Sequence, residues 1–132
     1  MTLVDTSAWV EFLRRTQSPT HQALRRLLES EAPLHTTDVV VMEVLAGARD
    51  DEHAAQLRRL LARCDHLSVE GLATYEVAAA LYRSCRSAGE AVRALVDCLI
   101  AAVALREGVP VLHEDRDFDV LARHCGLEVL RA

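Results

Sequence analysis

A short apolar run, Leu3-Val4, ends in Asp5 and gives way at once to a helical pattern, with Trp9, Phe12 and Leu13 at i, i+3 and i+4. This reads as a first strand that delivers a carboxylate at its C-terminal end and turns straight into a helix. In open α/β sheets that edge is where ligands bind. Taken alone, Asp5 also has a plainer reading, because Asp is a favoured helix N-cap.

The rest of the chain alternates in the same way. Helices are expected from Thr6 to about Arg15, after Thr20 as cap with Ala23, Leu24, Leu27 and Leu28 on one face, and through Val39–Leu45 to a stop at Gly47. Another opens at Asp50-Asp51-Glu52, where acids suit the helix dipole. Longer ones are expected over Leu72–Ala88 and Val92–Arg106, and a short one runs to His124. Short extended pieces at 33–35, 66–69, 111–113 and 127–130 fall between them. Strands separated by helices predict one domain over 1–132, α/β in class, with a small, mainly parallel sheet of about four to five strands.

Composition narrows the function. All 15 basic residues are arginine, so mechanisms that need a lysine, such as a Schiff base or a P-loop, are excluded. The net charge of −5 argues against a broad nucleic-acid coat, though not against an enzyme whose carboxylates are covered by metal ions. The four cysteines, Cys64, Cys85, Cys98 and Cys125, form no CxxC pair and read as small buried apolar residues. No apolar run is long enough to span a bilayer, and no basic segment with an apolar h-region stands at the start, so a cytoplasmic protein is expected.

Two acids interrupt the most apolar helical runs. Glu43 lies within Val39–Leu45 and Asp97 within Val92–Leu105, at positions that a binary pattern assigns to core. A lone buried carboxylate costs several kcal/mol or is neutralised, so each needs an arginine or a metal. Arg49 is a candidate partner for Glu43, and Arg93 for Asp97 at i,i+4. Asp115 and Asp117 follow the strand 111–113 as Asp5 follows the first, although two acids in a solvated turn are ordinary. If all converge, the donor set suits a hard divalent cation, which activates water and stabilises the leaving oxygen of a phosphodiester.

Four ordered segments carry a resemblance. Val4-Asp5-Thr6-Ser7, Val41-Met42-Glu43-Val44-Leu45-Ala46-Gly47, Asp97-Cys98-Leu99-Ile100-Ala101-Ala102 and Asp115-Arg116-Asp117-Phe118 resemble the successive signature segments of PIN domains, and more narrowly of VapC-type toxins from bacterial toxin–antitoxin pairs. The resemblance implies a three-layer α/β/α fold. It implies an endoribonuclease dependent on Mg²⁺ or Mn²⁺ that arrests translation by cutting RNA and leaves a 5′-phosphate and a 3′-hydroxyl. Carried over, Asp5, Glu43, Asp97 and Asp115 form the catalytic acidic quartet and Asp117 a frequent fifth acid at the metal. Thr6 or Ser7 supplies a hydroxyl beside them.

The implied partners are a VapB-like antitoxin that covers the site, an RNA substrate such as transfer RNA or another structured RNA, and a second copy of the chain. Arg93 and Arg116 are candidate phosphate contacts by charge and position, with pairing to neighbouring acids as the alternative. Glu114 departs from the family, which often has a small or neutral polar residue before this segment. Two competing classes are an inert PIN-like binding module and an Mg²⁺-binding receiver-like signalling domain. The latter needs a lysine that this chain lacks.

Overall fold

A computed structural model describes residues 1–130. Its elements run β1 (Thr2–Val4), α1 (Thr6–Leu13), α2 (Pro19–Glu29), β2 (Leu34–Thr37), α3 (Asp38–Ala46), α4 (Asp51–Leu61), β3 (Asp65–Leu67), α5 (Leu72–Ser87), α6 (Leu95–Glu107), β4 (Val111–Leu112) and α7 (Arg116–Cys125). The four strands form one sheet in the order β3-β2-β1-β4, and every pairing is parallel. Every residue of β1, β2 and β4 is buried: β1 and β2 are central parallel strands, and β4, at one edge, is flanked by the bridge from Val129 to Val111. The edge strand β3 is largely exposed.

The core is built from side chains that the strands and α6 bring together, among them Leu3, Val4, Trp9, Leu24, Ile100, Val103, Leu112, Phe118 and Leu121. In α6, every residue from Asp97 to Ala104 is buried. A helix apolar on all sides belongs in the middle of a protein, which accounts for the absence of an amphipathic pattern there. Gly108 (φ 67°) and Gly126 (φ 71°) close α6 and α7 in the left-handed region, where a side chain is strained. Among the described residues, no helix is long and apolar enough to cross a membrane.

Several boundaries differ from the sequence expectation. The cap of α2 is Ser18, whose hydroxyl accepts from the amide of His21, with Pro19 at the first helical position. Pro is pre-set for that position, so the helix starts earlier than a Thr20 cap predicts. The helix expected from Val92 begins at Leu95, because 92–94 form an extended lead-in tied to α7. The terminal strand expected at 127–130 is a single parallel bridge from Val129 to Val111.

Candidate metal centre at the carboxyl edge of the sheet

Register places the first acid. Val4 pairs with Leu112, and the amide of Asp5 donates to the Leu112 carbonyl at 3.0 Å, so β1 and β4 end side by side. Asp5 then caps α1: its Oδ2 accepts from the amide of Ser7 at 2.9 Å and from the Ser7 hydroxyl at 2.6 Å. The cap and metal readings do not compete, because capping uses one oxygen. The other, Oδ1, is buried and has no hydrogen-bond partner among the described residues.

Asp115 leaves β4 and caps α7, its Oδ1 accepting from the amide of Asp117 at 2.9 Å. Asp117 is buried in the first turn of α7. Its two oxygens accept the amides of Arg93 and Ala94, each at 2.9 Å, which ties the approach to α6 onto α7. A bidentate contact from Arg123 to Glu90, at 3.0 and 2.7 Å, holds the same approach from outside. Asp97 then enters from the first turn of α6. Three helix N-termini therefore face one point, and their dipoles partly offset the carboxylates gathered there.

Oxygen atoms of Asp97, Asp115 and Asp117 lie within 4.8 Å of one another. Two oxygens on opposite sides of one small hard cation stand about 4.2 Å apart, so the three carboxylates need only a slight closure to share an ion. Asp97 Oδ2, like Asp5 Oδ1, is a buried oxygen with no hydrogen-bond partner among the described residues. Asp5 and Glu43 stand outside that closest group, which is an all-oxygen donor set that fits a divalent cation of the Mg²⁺ type and offers nothing to a soft metal.

The electrostatics match that crowding. Burial pushes Asp97 up to about 9, reinforced by its hydrogen bond to Asp117 and by the charges of Asp5, Asp115 and Asp117. Burial also opposes ionisation of Asp117, but the amides of Arg93 and Ala94 outweigh it and hold this carboxyl below the usual range. The pair thus keeps its proton on Asp97. Asp5 rises to about 6, chiefly by burial, with Ser7 opposing the rise and Glu43 adding to it.

Glu43 stands on the far side of Asp5, halfway along α3, and is half-buried rather than in the core. Its partner is the Thr6 hydroxyl, at 2.7 Å, and not Arg49. Arg93 is not one turn before Asp97 on a helix. Its Nε lies 4.0 Å from Asp117 Oδ1, and it shares with Arg116, Asp115 and Asp117 an open cleft of about 460 Å³. Ser7 does more than the sequence suggests, since its hydroxyl also accepts the amide of Glu114 at 2.8 Å. Glu114 itself turns to the Thr20 hydroxyl on α2. The signal for both contacts was present as Thr or Ser beside acids, but their pairing across the chain is set by the fold.

A four-stranded parallel sheet with Asp97, Asp115 and Asp117 clustered near its carboxyl edge, and Asp5 and Glu43 beside them, is the architecture of a PIN domain. Residues 2–124 match the PIN domain family model, and the chain belongs to that family. It is 45% identical over 129 residues to the VapC ribonuclease Mb1587 of Mycobacterium bovis, covering 97% of this chain and 96% of that protein. Identity and coverage are the same with ribonuclease VapC11 of Mycobacterium tuberculosis. Among solved structures, DNA-bound VapBC from Salmonella typhimurium is similar in fold, with a TM-score of 0.77 at 16% identity over 98% of this chain and 96% of that one. VapBC-5 from Mycobacterium tuberculosis is 26% identical, with a TM-score of 0.67 over 99% of this chain and 98% of that one.

Proposed function

We propose that this one-domain chain is an endoribonuclease, the toxin of a toxin–antitoxin pair, which hydrolyses RNA phosphodiester bonds in the cytoplasm and so stops translation. The observation that carries the reading is a pair of buried, unpartnered oxygens, Asp97 Oδ2 within the cluster of Asp97, Asp115 and Asp117, and Asp5 Oδ1, whose carboxyl is near enough to act on Asp97. The 45% identity to VapC ribonucleases along nearly the whole chain supports the activity. Toxin–antitoxin complexes among the similar structures support a VapB-like antitoxin that covers the site. The substrate is proposed to be transfer RNA or another structured RNA, and the active form a homodimer, as the family resemblance implies.

In this proposal Asp5, Asp97, Asp115 and Glu43 are the catalytic acids, with Asp5, Asp97 and Asp115 holding Mg²⁺ or Mn²⁺. When bound, that ion lowers the pKa of a water and neutralises charge on the phosphodiester. Asp97 gives up its proton as the ion binds, since a ligating carboxylate must be ionised. Glu43, fixed by Thr6, orients the water shell on the α3 side. Ser7 keeps Oδ2 of Asp5 occupied, so that Oδ1 is the oxygen presented. Asp117 holds the start of α6 in place and adds charge behind Asp97. Arg93 and Arg116, on the cleft beside Asp115, are placed to meet RNA phosphates.

The test is cleavage of total RNA by the purified chain with Mg²⁺ or Mn²⁺, compared with Asp97→Asn. Asn matches the neutral form of Asp97 in shape and hydrogen bonding, so the variant should melt close to the wild type while losing cleavage. Full activity of the variant, or no activity of the wild type with either metal, overturns the assignment.

A further inference from the structure

We propose that the groove between α1, α3 and α4 seats the RNA strand next to the cleaved bond, with Arg14 and Arg49 as its phosphate contacts. The inference rests on the ribonuclease reading above. The groove encloses about 340 Å³, and its wall includes Thr6, Trp9, Arg14, Glu43, Arg49 and His53. Glu43, held by Thr6, lines it and is close enough to act on Asp5, so the groove adjoins the acidic centre on the α3 side. Beyond Glu43 its charged groups are cationic.

Three features suit a single-stranded polyanion. Arg14 and Arg49 are exposed, form no ion pair among the described residues, and, unlike other unpaired arginines such as Arg58 and Arg83, line the groove that holds Glu43. On a chain of net charge −5, two uncommitted guanidiniums beside the acids are where an RNA backbone gains attraction. Next, His53 Nδ1 accepts the amide of Arg49 at 3.1 Å, so the neutral ring carries its proton on Nε2 and offers a donor. Finally, the Trp9 Nε1–H is buried and has no hydrogen-bond partner among the described residues. Trp9 is among the residues that line the groove, so an occupant rich in hydrogen-bond acceptors suits this wall. Splayed bases of single-stranded RNA present such atoms, and a duplex hides them.

Trp9 is the single tryptophan of the chain, so its emission reports from inside the groove. The experiment uses the full-length Asp97→Asn chain with Mg²⁺ and a short single-stranded RNA of random sequence. RNA binding should change Trp9 emission. Adding Arg14→Gln and Arg49→Gln should weaken binding, read by fluorescence anisotropy, by about tenfold and lower the slope of log K against log salt by about 1.4. A charge-matched control on α5, Arg83→Gln with Arg86→Gln, should stay within about twofold. Affinity unchanged in the groove variant, loss equal to that in the control, or RNA binding that leaves Trp9 emission untouched each overturns the groove as the RNA seat. A polypeptide occupant would give the first of these outcomes. Cleavage by the wild-type chain is measured separately, so failure of the ribonuclease reading remains distinct from failure of the groove.

Discussion

The Thr6 hydroxyl donates to Glu43 Oε1 at 2.7 Å, joining two residues 37 positions apart. This contact sets where the carboxylate of α3 stands relative to the end of β1. Glu43 has a long, half-buried side chain, and Thr6 is its one hydrogen-bond partner among the described residues.

Thr6→Val keeps the shape of the side chain and removes the donor. Cleavage should fall about 10–100-fold, the usual effect of losing an outer-shell hydrogen bond at a metal site, and Thr6→Ser should restore most of it. Steady-state rates on one RNA substrate for the three chains decide this. Equal rates for Thr6→Val and wild type would show that Glu43 needs no positioning.

Ser7→Ala removes a hydroxyl that serves both ends of the sheet edge, donating to Asp5 and accepting from Glu114. The Glu114 amide is exposed, so water replaces its lost partner, and the expected loss of stability is that of an ordinary hydrogen bond, about 1 kcal/mol. Because Ser7 is what opposes the upward shift of Asp5, the Asp5 carboxyl should titrate above about 6 in the variant. Denaturant melts and a carboxyl NMR titration check the two effects.

The acids also predict how stability responds to pH. The carboxyls of Asp5 and Asp97 titrate at about 6 and about 9 in the fold, well above their value in the unfolded chain. Over that window the native state binds more protons than the unfolded chain, so stability is greatest below the unfolded value and falls as pH rises through the native ones. The metal-free protein should therefore melt at a higher temperature at about pH 5 than at about pH 8. Mg²⁺ should raise the melting temperature most at the alkaline end, and calorimetry in buffers of different ionisation enthalpy should detect protons released on binding. A melting temperature that does not vary with pH in EDTA would refute the raised carboxyls.

Asp117→Ala separates an anchor from a ligand. Its two oxygens hold the amides of Arg93 and Ala94, and losing them leaves two donors unmet, at a cost of roughly 1–3 kcal/mol each. The loss should appear in EDTA as clearly as with metal present. Destabilisation seen only with Mg²⁺ would mean that Asp117 acts through the ion alone.

Much of this architecture is legible in residue types. Asp5 after an apolar pair, and Asp115 after Val111-Leu112, mark the ends of two parallel strands, and both caps form there. Asp97 in an apolar run is buried as expected, because the run is apolar on all sides. Glu43 was harder to place. The run around it is equally apolar, but α3 lies beside a groove, so one of its faces meets solvent. The anchoring of Asp117 was invisible, since its partners are backbone amides 23 and 24 positions away. Such contacts depend on where a loop ends, and side-chain identity does not encode that. The start of α2 at Ser18-Pro19 was readable and was lost to the nearby Thr20, which the fold uses to hold Glu114.

The acids at this edge are far apart in sequence: Asp5 directly follows β1, whereas Asp115 caps α7 and Asp117 lies in its first turn. During synthesis the cell therefore makes most of this polypeptide as a harmless intermediate. Nascent chains that stop before β4 lack Asp115 and Asp117, so with the site proposed above, abortive translation products cannot assemble the metal centre. The hazard to the host begins only when the final segment has emerged and docked, so the interval between that docking and capture by an inhibitor sets the exposure of the cell's RNA.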